Sequence, residues 1–313
     1  MINRRNFIRN SSVLALSGIT TMVSNAGVYA ANSRRMASRP VGIQLYTVMN
    51  EIDADLNGTL KRIASIGFHE LESVFSRKSG FYGLSAKEFA SRANDYGLSW
   101  KAHHAIGAPF KLPAGSKPPA GADGKPLVFP PMKNLRENGQ EIIDAAAEGG
   151  IRYLVCSSTP IDTLDEIKRS IETLQKTAEG CKKAGIGFAF HNHTKEFDMI
   201  EGKIPYDMFL SEVNADLMKF ELDLAWVTRA GTDPLELFKK HPGRFPLWHV
   251  KDLDRVTQKP VEVGAGYVDL KRVFDAAEMA GLEHIFVEQD AAPQPLQNIE
   301  TSYKNLAAIM NEK

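Results

Sequence analysis

The chain has 313 residues, 43% of them hydrophobic, and its 38 basic residues balance 38 acidic ones. A chain of this length buries a sizeable core in one large domain or two ordinary ones. No stretch clusters Lys and Arg as binding to nucleic-acid phosphates requires, so the composition argues against a nucleic-acid partner. Two cysteines exclude a disulfide scaffold, and the places of Cys156 and Cys181 in a predicted strand and the following helix favour packing over a bridge.

The N-terminus has the features of an export signal. Arg4 and Arg5 precede apolar residues, the moderately apolar stretch 13–23 follows, and the triplet 28–30 fits a small-x-small cleavage site. An uncleaved membrane anchor is the alternative. The apolar stretch is, however, shorter than the roughly 20 residues that a spanning helix needs, and it is diluted by Ser, Thr and Gly.

We therefore expect a twin-arginine signal peptide over residues 1–30, a linker over 31–39 and a periplasmic product without stable membrane insertion after cleavage. Cleavage would remove three arginines and no acidic residue, so the net charge would fall by three, from 0 to −3.

From residue 40 short apolar runs alternate with longer amphipathic ones, which is typical of βα units on a parallel sheet. The predicted strands are Val41–Val48, Glu70–Phe75, Ser99–Ala105, Tyr153–Ser157, Gly187–His191, Lys219–Leu224, Pro246–Val250 and Ile285–Glu288. Predicted helices lie near 55–66, 85–96, 134–148, 162–184, 205–214, 234–240, 268–280 and 295–311. Eight of each over about 270 residues favour a single (β/α)8 TIM barrel, a catalytic domain over 40–313. A doubly wound open sheet is the alternative, but no glycine-rich phosphate loop follows the first strand.

Two further local patterns bear on this architecture. Ser85 stands three residues before Glu88, and Asp162 opens a helix with Glu166 in its first turns, as capping residues do. Residues 107–131 hold seven prolines and four glycines, too many for a helix or a central strand. Such a loop on the third strand's carboxyl side is either an active-site lid or a disordered excursion.

Ligand-type residues recur where the predicted strands end. They are Glu72, His103, His104, His191, His193, Asp223, His249, Lys251 and Glu288. A single histidine at a strand end is usually a hydrogen-bonded core or surface residue, and an acid after an apolar run is frequently a helix cap. Barrel closure, however, brings all of these ends within reach of one point. The set as a whole therefore predicts a divalent cation.

Imidazole and carboxylate ligands without thiolate suit Mn²⁺, Mg²⁺, Co²⁺ or Zn²⁺ in an open site. Such an ion stabilises the enediolate that forms when a carbon beside a carbonyl loses its proton. A base must stand next to it, and the candidates are Glu196, His193, Glu72 and Lys251.

Six strings in order carry a resemblance to a known family: 42–48 (GIQLYTV), 191–197 (HNHTKEF), 223–226 (DLAW), 249–252 (HVKD), 263–269 (VGAGYVD) and 287–290 (VEQD). Together they resemble the xylose isomerase-like TIM-barrel family over residues 40–311. That family includes sugar isomerases, ketose 3-epimerases, inosose dehydratases and lyases acting on 3-keto-glycosides. The order of motifs is specific to the family but says little about the substrate.

The resemblance implies four metal ligands from the fifth to eighth strands. By position these are Asp223, His249 and Glu288, with His191 where the epimerases have a glutamate. Strand parity favours His191 over His193, which lies past the strand end and stays the alternative. The departure from glutamate removes one of the two carboxylates that move the proton in the epimerases, so Glu196 or His193 must act beside Glu288.

Other residues are expected to contact substrate. Arg255 matches a position that the epimerases use for substrate oxygens, whereas Trp226 replaces their substrate-contacting histidine and is a candidate to stack on a sugar ring. Glu72 and His104 are further substrate contacts at strand ends. Lys251 shares the inward face of His249, and is either a proton donor or a solvated surface lysine.

These patterns predict a metal-dependent sugar isomerase, epimerase or lyase with a small carbohydrate substrate, such as a keto-sugar or 3-keto-glycoside. Homo-oligomerisation stays open. A non-catalytic periplasmic sugar-binding protein on the same barrel is the runner-up. A metal-dependent hydrolase or nuclease is third, because it would need more His and Asp ligands and a basic groove.

Overall fold

The computed structural model describes residues 39–109 and 132–311. The expected signal peptide at 1–30, almost all of the linker at 31–39 and most of the proline-rich segment at 107–131 lie outside the described residues. The compact unit that contains the site runs from Pro40 to Leu306.

Eight parallel strands close into a barrel in the order β1-β10-β7-β6-β5-β4-β3-β2. Their bounds are β1 Gly42–Gln44, β2 Glu70–Ser73, β3 Ser99–Ile106, β4 Tyr153–Ser158, β5 Gly187–His191, β6 Met218–Asp223, β7 Leu247–Val250 and β10 His284–Val287. Two short strands, β8 (Asp252–Leu253) and β9 (Pro260–Val261), pair as an antiparallel hairpin after β7. The predicted TIM barrel is confirmed.

Helices follow the strands and pack around them. They are α1 Met49–Ala54, α2 Leu56–Ile66, α3 Ala86–Asn94, α4 Leu135–Glu148, α5 Leu164–Ala184, α6 Pro205–Glu212, α7 Leu224–Arg229, α8 Pro234–Lys240, α9 Leu270–Asp275, α10 Ala277–Ala280 and α11 Pro295–Asn311. The capping box of Ser85 and Glu88 forms as predicted. Thr163, rather than Asp162, caps α5, since its hydroxyl accepts from the backbone of Glu166.

The first predicted strand is too long. It ends at Gln44, whose side-chain oxygen accepts from the Tyr46 backbone and starts a 3₁₀ turn over Leu45–Val48. The apolar pattern of 45–48 comes from burial of this turn and not from an extended strand.

Strand parity divides side chains between the barrel interior and the helical layer. Trp248 faces the helices and stacks on Phe238 with ring centroids 5.3 Å apart. Trp100 packs against Phe81 and Phe89 in the core. Both cysteines are buried and unbridged, which confirms their packing role.

Within 39–109 and 132–311, no helix combines the length and apolarity needed to cross a membrane.

Candidate active site at the mouth of the barrel

The carboxyl ends of β6, β7 and β10 bring three predicted ligands together. One carboxylate oxygen each from Asp223 and Glu288 and a ring nitrogen of His249 lie within 4.8 Å of one another. Glu288 Oε2 is 2.7 Å from His249 Nδ1, and Asp223 Oδ2 is 3.9 Å from the same nitrogen. We call these three residues the mouth group.

Asp223 uses its two oxygens differently. Its Oδ1 accepts hydrogen bonds from the backbone N–H groups of Ala225 and Trp226 and so caps α7. Its Oδ2 is buried and accepts no hydrogen bond, although it lies in ion-pair contact with Lys251. The acid is therefore both a helix cap and a candidate ligand, two roles that the sequence offers only as alternatives.

Lys251 is completely enclosed and balances the acids of this region. Its Nζ lies 3.1 Å from Asp223, 2.8 Å from Glu288 and 2.7 Å from Asp290. The ammonium also stands 4.8 Å from the centre of the Trp226 ring. Burial opposes the charge, but the three carboxylates outweigh it and raise the pKa of Lys251 well above its usual range. Lys251 is thus not a solvated surface lysine.

A second group lies one layer deeper in the barrel, around Glu221. Its Oε2 is 2.6 Å from His104 Nε2, 3.1 Å from His191 Nδ1 and 3.1 Å from His249 Nε2. All four side chains are buried and their ligand-type atoms lie within 4.8 Å of one another. We call these four residues the deep group. His249 belongs to both groups, through a different ring nitrogen in each.

Glu72 lies beside the deep group. One of its oxygens accepts from Gln44 Nε2 at 2.8 Å and lies 2.5 Å from His249 Nε2. Hydrogen bonds on one ring nitrogen fix which nitrogen of a metal-binding histidine carries the proton. Glu72 and Glu221 therefore hold a proton on Nε2 of His249, which leaves the Nδ1 lone pair for the mouth group.

Charge within the deep group is balanced. Burial disfavours the imidazolium of His104, but Glu72 and Glu221 outweigh it and raise its pKa to about 9. Burial likewise opposes charge on Glu221, yet the charges of His249 and His104 and the hydrogen bonds from His104 and His191 hold its pKa well below its usual range. Burial lowers the pKa of His191, and neighbouring His249 lowers it further. At the mouth, by contrast, burial raises the pKa of Asp223 to about 6 despite the nearby Lys251 and His249.

An open cavity of about 670 Å³ reaches the mouth group at Glu288, whereas Asp223 and His249 are fully buried and are not among its described wall residues. Five predicted site residues line it: His104, His191, His193, Lys251 and Glu288. Its volume falls in the range of about 300–1,000 Å³ that small-molecule sites occupy. We call it the mouth cavity.

Glu72, Glu196 and Arg255 do not line the mouth cavity, whose walls are drawn from the described residues. Glu196 is buried behind the loop after β5, where it accepts from the His193 backbone N–H at 2.9 Å, and burial raises its pKa. Arg255 is exposed on the β8–β9 hairpin, over the ring of Tyr267. Trp226 is half-buried behind Lys251 and is also outside the cavity wall.

The sequence reading missed two residues that the structure brings to the site, Glu221 and Asp290. Glu221 precedes Asp223 by two positions and so shares its inward face, and Asp290 follows Glu288 by two. Strand parity was the signal for Glu221, but it gives no measure of depth inside the barrel.

The mouth group fits a divalent cation. It offers an imidazole nitrogen and carboxylates that face one point, and Asp223 Oδ2 accepts no hydrogen bond. Three carboxylates (Asp223, Glu288 and the part-exposed Asp290) oppose one ammonium group, which leaves a net charge of −2 when His249 is neutral. Uncompensated buried charge is costly, and a divalent cation removes this excess.

Comparison with known proteins supports this architecture. The family described as xylose isomerase-like TIM barrel matches residues 60–310. An inosose dehydratase from Geobacillus thermodenitrificans (strain NG80-2) is 24% identical over 183 residues, 50% of this chain and 61% of that protein. The match thus spans less than two thirds of that relative's length.

Two solved structures are similar over nearly their whole length. A sugar phosphate isomerase/epimerase from Parabacteroides distasonis ATCC 8503 has a TM-score of 0.70 at 25% identity, with coverage of 88% of this chain and 96% of that one. The IolI protein with a bound zinc atom has a TM-score of 0.64 at 16% identity, with coverage of 87% and 98%, a likeness that shows the fold alone. The chain therefore belongs to the xylose isomerase-like TIM-barrel family.

Proposed function

We propose that this protein is an enzyme that depends on one divalent metal ion and removes a proton from the carbon beside a sugar carbonyl. The observation that carries the proposal is the charge excess at the mouth, where three carboxylates face the ammonium group of Lys251 and two of them, Asp223 and Glu288, also face His249 Nδ1. Mn²⁺, Mg²⁺, Co²⁺ and Zn²⁺ all accept such a mixed donor set.

The proposed ligands are Asp223, His249, Glu288 and His191. Support for His191 is its place in the cavity wall and a ring centroid 4.5 Å from that of His249. His193 lines the same cavity and is the alternative fourth ligand. The deep group is the weaker candidate for the ion, because Glu221 Oε2 already contacts three imidazole rings and His104 balances its charge.

The cation would supply Lewis-acid polarisation of the carbonyl and stabilise the negative charge of the enediolate. Glu288 is the proposed base, since it lines the cavity and is ionised: burial opposes the charge, but Lys251 and His249 outweigh burial and hold its pKa well below its usual range. Lys251 fixes the orientation of Glu288 and lines the cavity, where its ammonium group would stabilise negative charge that develops on a substrate oxygen. His193, in the cavity wall, is the proposed second acid/base, held in place by Glu196 through its backbone N–H.

The proton that leaves the substrate carbon goes to Glu288, and the electron pair of the C–H bond moves toward the carbonyl oxygen. Return of a proton to the same or the neighbouring carbon gives an epimer or an isomer. Departure of a β-substituent with the electron pair gives elimination. The same residues serve all three outcomes, so the site does not select among them by its donor set alone.

The proposed substrates are keto-sugars and 3-keto-glycosides met outside the cytoplasm, where the twin-arginine leader at 1–30 would send the protein. Phosphorylated sugars are rare in the periplasm, and no glycine-rich phosphate loop follows β1. A sugar phosphate is therefore not the proposed substrate.

Removal and return of metal tests the proposal. Chelator-stripped protein should lose activity on ketoses and 3-keto-glucosides, and one equivalent of a suitable ion should restore it. Glu288→Gln should stay inactive with metal, whereas the exposed Glu179→Gln should behave as wild type. A protein that purifies without stoichiometric metal and converts none of these sugars would instead fit the sugar-binding role.

A further inference from the structure

A second cavity of about 510 Å³ adjoins the mouth cavity. We call it the side cavity. The two share six wall residues: Val74, Phe75, His104, Ile106, Met132 and Ser157. It opens between the loop after β2, the end of β3 and helix α4, directly beside the mouth cavity.

The wall of the side cavity is largely apolar. Five of its large apolar side chains are only half-buried: Phe75, Phe81, Leu84, Ile106 and Met132. Apolar surface that stays in contact with water is a free-energy cost that a ligand removes by covering it. The wall therefore favours an apolar occupant over a hydrated one.

The wall is also held in shape. The Phe81 ring packs edge-on against Trp100 at 4.8 Å and against His103 at 5.0 Å. Its backbone exchanges two hydrogen bonds with Leu84, at 2.9 and 3.1 Å. A ring fixed in this way offers a surface that a ligand does not have to order, which reduces the entropic cost of binding.

Charge is confined to the edges. Lys78, Lys133, Glu141 and Glu148 are exposed, and Lys133 pairs with Glu141. At the junction of the two cavities His104 is already bonded to Glu221. Lys78 stands at the exposed edge, so the enclosed part of the described wall offers no free counter-charge for a phosphate or carboxylate, and an uncharged group fits that part better.

We propose that the side cavity binds the aglycone of a glycoside substrate, as an uncharged apolar group of about one aromatic ring in size, while the sugar occupies the mouth cavity. This inference rests on the proposed function and narrows its substrate class from keto-sugars in general to glycosides with an apolar aglycone. A free monosaccharide would leave the side cavity unused.

Ala145 on α4 is half-buried and lines the side cavity alone, so Ala145→Trp should fill it. Ala147→Trp, at another half-buried position of α4 outside both walls, is the matched control. With p-nitrophenyl 3-keto-glucoside, Ala145→Trp should raise KM about tenfold or more, because burial of an aromatic ring is lost. With methyl 3-keto-glucoside its KM should change less than about twofold.

If Ala145→Trp does not fold, Leu84→Lys, which adds a charge to the wall, serves in its place. It should likewise raise KM for the p-nitrophenyl substrate much more than KM for the methyl substrate. Equal effects on both substrates, or none on either, would overturn the proposal while leaving the proposed function intact.

If neither 3-keto-glucoside is converted, the proposed function fails, and a binding measurement then tests whether the side cavity holds an aglycone. In that case saturation-transfer NMR with unoxidised p-nitrophenyl glucoside should show transfer to the aryl protons in wild type and Ala147→Trp but not in Ala145→Trp. Equal transfer in all three would contradict an aglycone site.

Discussion

At the scale of single residues, Asp223 shows how one side chain serves both the fold and the site. Its Oδ1 caps α7 through two backbone N–H groups, and its Oδ2 faces His249 and Lys251 in the mouth group. An asparagine keeps an oxygen for the cap but loses the negative charge. The two roles are therefore separable by substitution.

We expect Asp223→Asn to fold with nearly wild-type stability in the absence of metal and to lose bound metal. Asp223→Ala should lose metal as well and should also be destabilised by about 1 kcal/mol through the missing cap. Metal content by mass spectrometry and urea unfolding of the metal-free proteins measure the two effects. Full metal occupancy in Asp223→Asn would remove Asp223 from the ligand set.

Glu221 accepts from or contacts three imidazole rings, so its loss should act on the site through His249. Glu221→Gln replaces one carboxylate oxygen with a donor and should lower metal affinity roughly 10- to 100-fold, as removal of carboxylates behind metal-binding histidines does. A competitive metal titration measures this, with the exposed Glu179→Gln as control. Unchanged affinity would show that Glu72 alone orients the ring.

Sequence reasoning located the strand-end residues because barrel strands end on one face. It placed Asp223, His249 and Glu288 correctly at one point, but it could not tell that Glu72 lies beneath the site or that Arg255 sits on a hairpin. Depth inside a barrel and the path of a loop depend on tertiary packing, which strand parity does not encode.

At the scale of elements, the ends of the helices and strands were harder to predict from the sequence than their presence. The short helices α1 and α7 and the β8–β9 hairpin follow strand ends so closely that their residues read as strand or loop. Gln44 and Asp223 end their strands by capping the helical turn that follows, through side-chain oxygens. Such caps are visible in a sequence only once the strand end is known.

Two glycines distinguish the two ways in which a side chain can destabilise the fold, an unfavourable backbone conformation and steric crowding. Gly281 and Gly97 have φ values of 76° and 75°. A Cβ on Gly281 would lie 2.8 Å from Gly243 Cα, whereas a Cβ on Gly97 would meet nothing within 4 Å. We expect Gly97→Ala to cost about 1 kcal/mol for its left-handed conformation and Gly281→Ala clearly more, since backbone must also move. Equal unfolding free energies for the two variants would contradict this.

Asp233 links α8 and α9 through a two-point contact with Arg272, at 3.1 and 2.6 Å. The hydrogen bonds from Arg272, chiefly, lower the pKa of Asp233 below 3.8. Because the folded pKa is depressed, the stabilisation is present above pH 3.8 and is lost as pH falls through the folded value.

Asp233→Asn keeps the cap on Leu235 but not the charge. Its unfolding free energy should therefore fall below that of wild type at pH 6 and approach it at pH 3. Urea unfolding of both proteins at the two pH values measures the difference. A difference in unfolding free energy that does not change with pH would show that it arises from packing and not from the charge of Asp233.

At the scale of the whole molecule, barrel closure turns separate strand ends into one site. His104, His191, Asp223, His249 and Glu288 come from five strands or their ends, and their shared position depends on closure of the whole barrel. The alternation of strands and helices predicted this architecture because it is repeated eight times, so errors at single boundaries do not change it. Substrate and outcome depend instead on cavity shape, which no local pattern in the sequence records.

The most direct measurement is solvent exchange at the substrate carbon. The purified protein is incubated with Mn²⁺ and a 3-keto-glucoside in D₂O, and the sugar protons are followed by NMR beside Glu288→Gln. We predict metal-dependent loss or exchange of the C2 proton in wild type and none in the variant. Retention of that proton, on this substrate and on free ketoses, by a protein carrying one metal ion per chain would contradict proton abstraction beside a carbonyl.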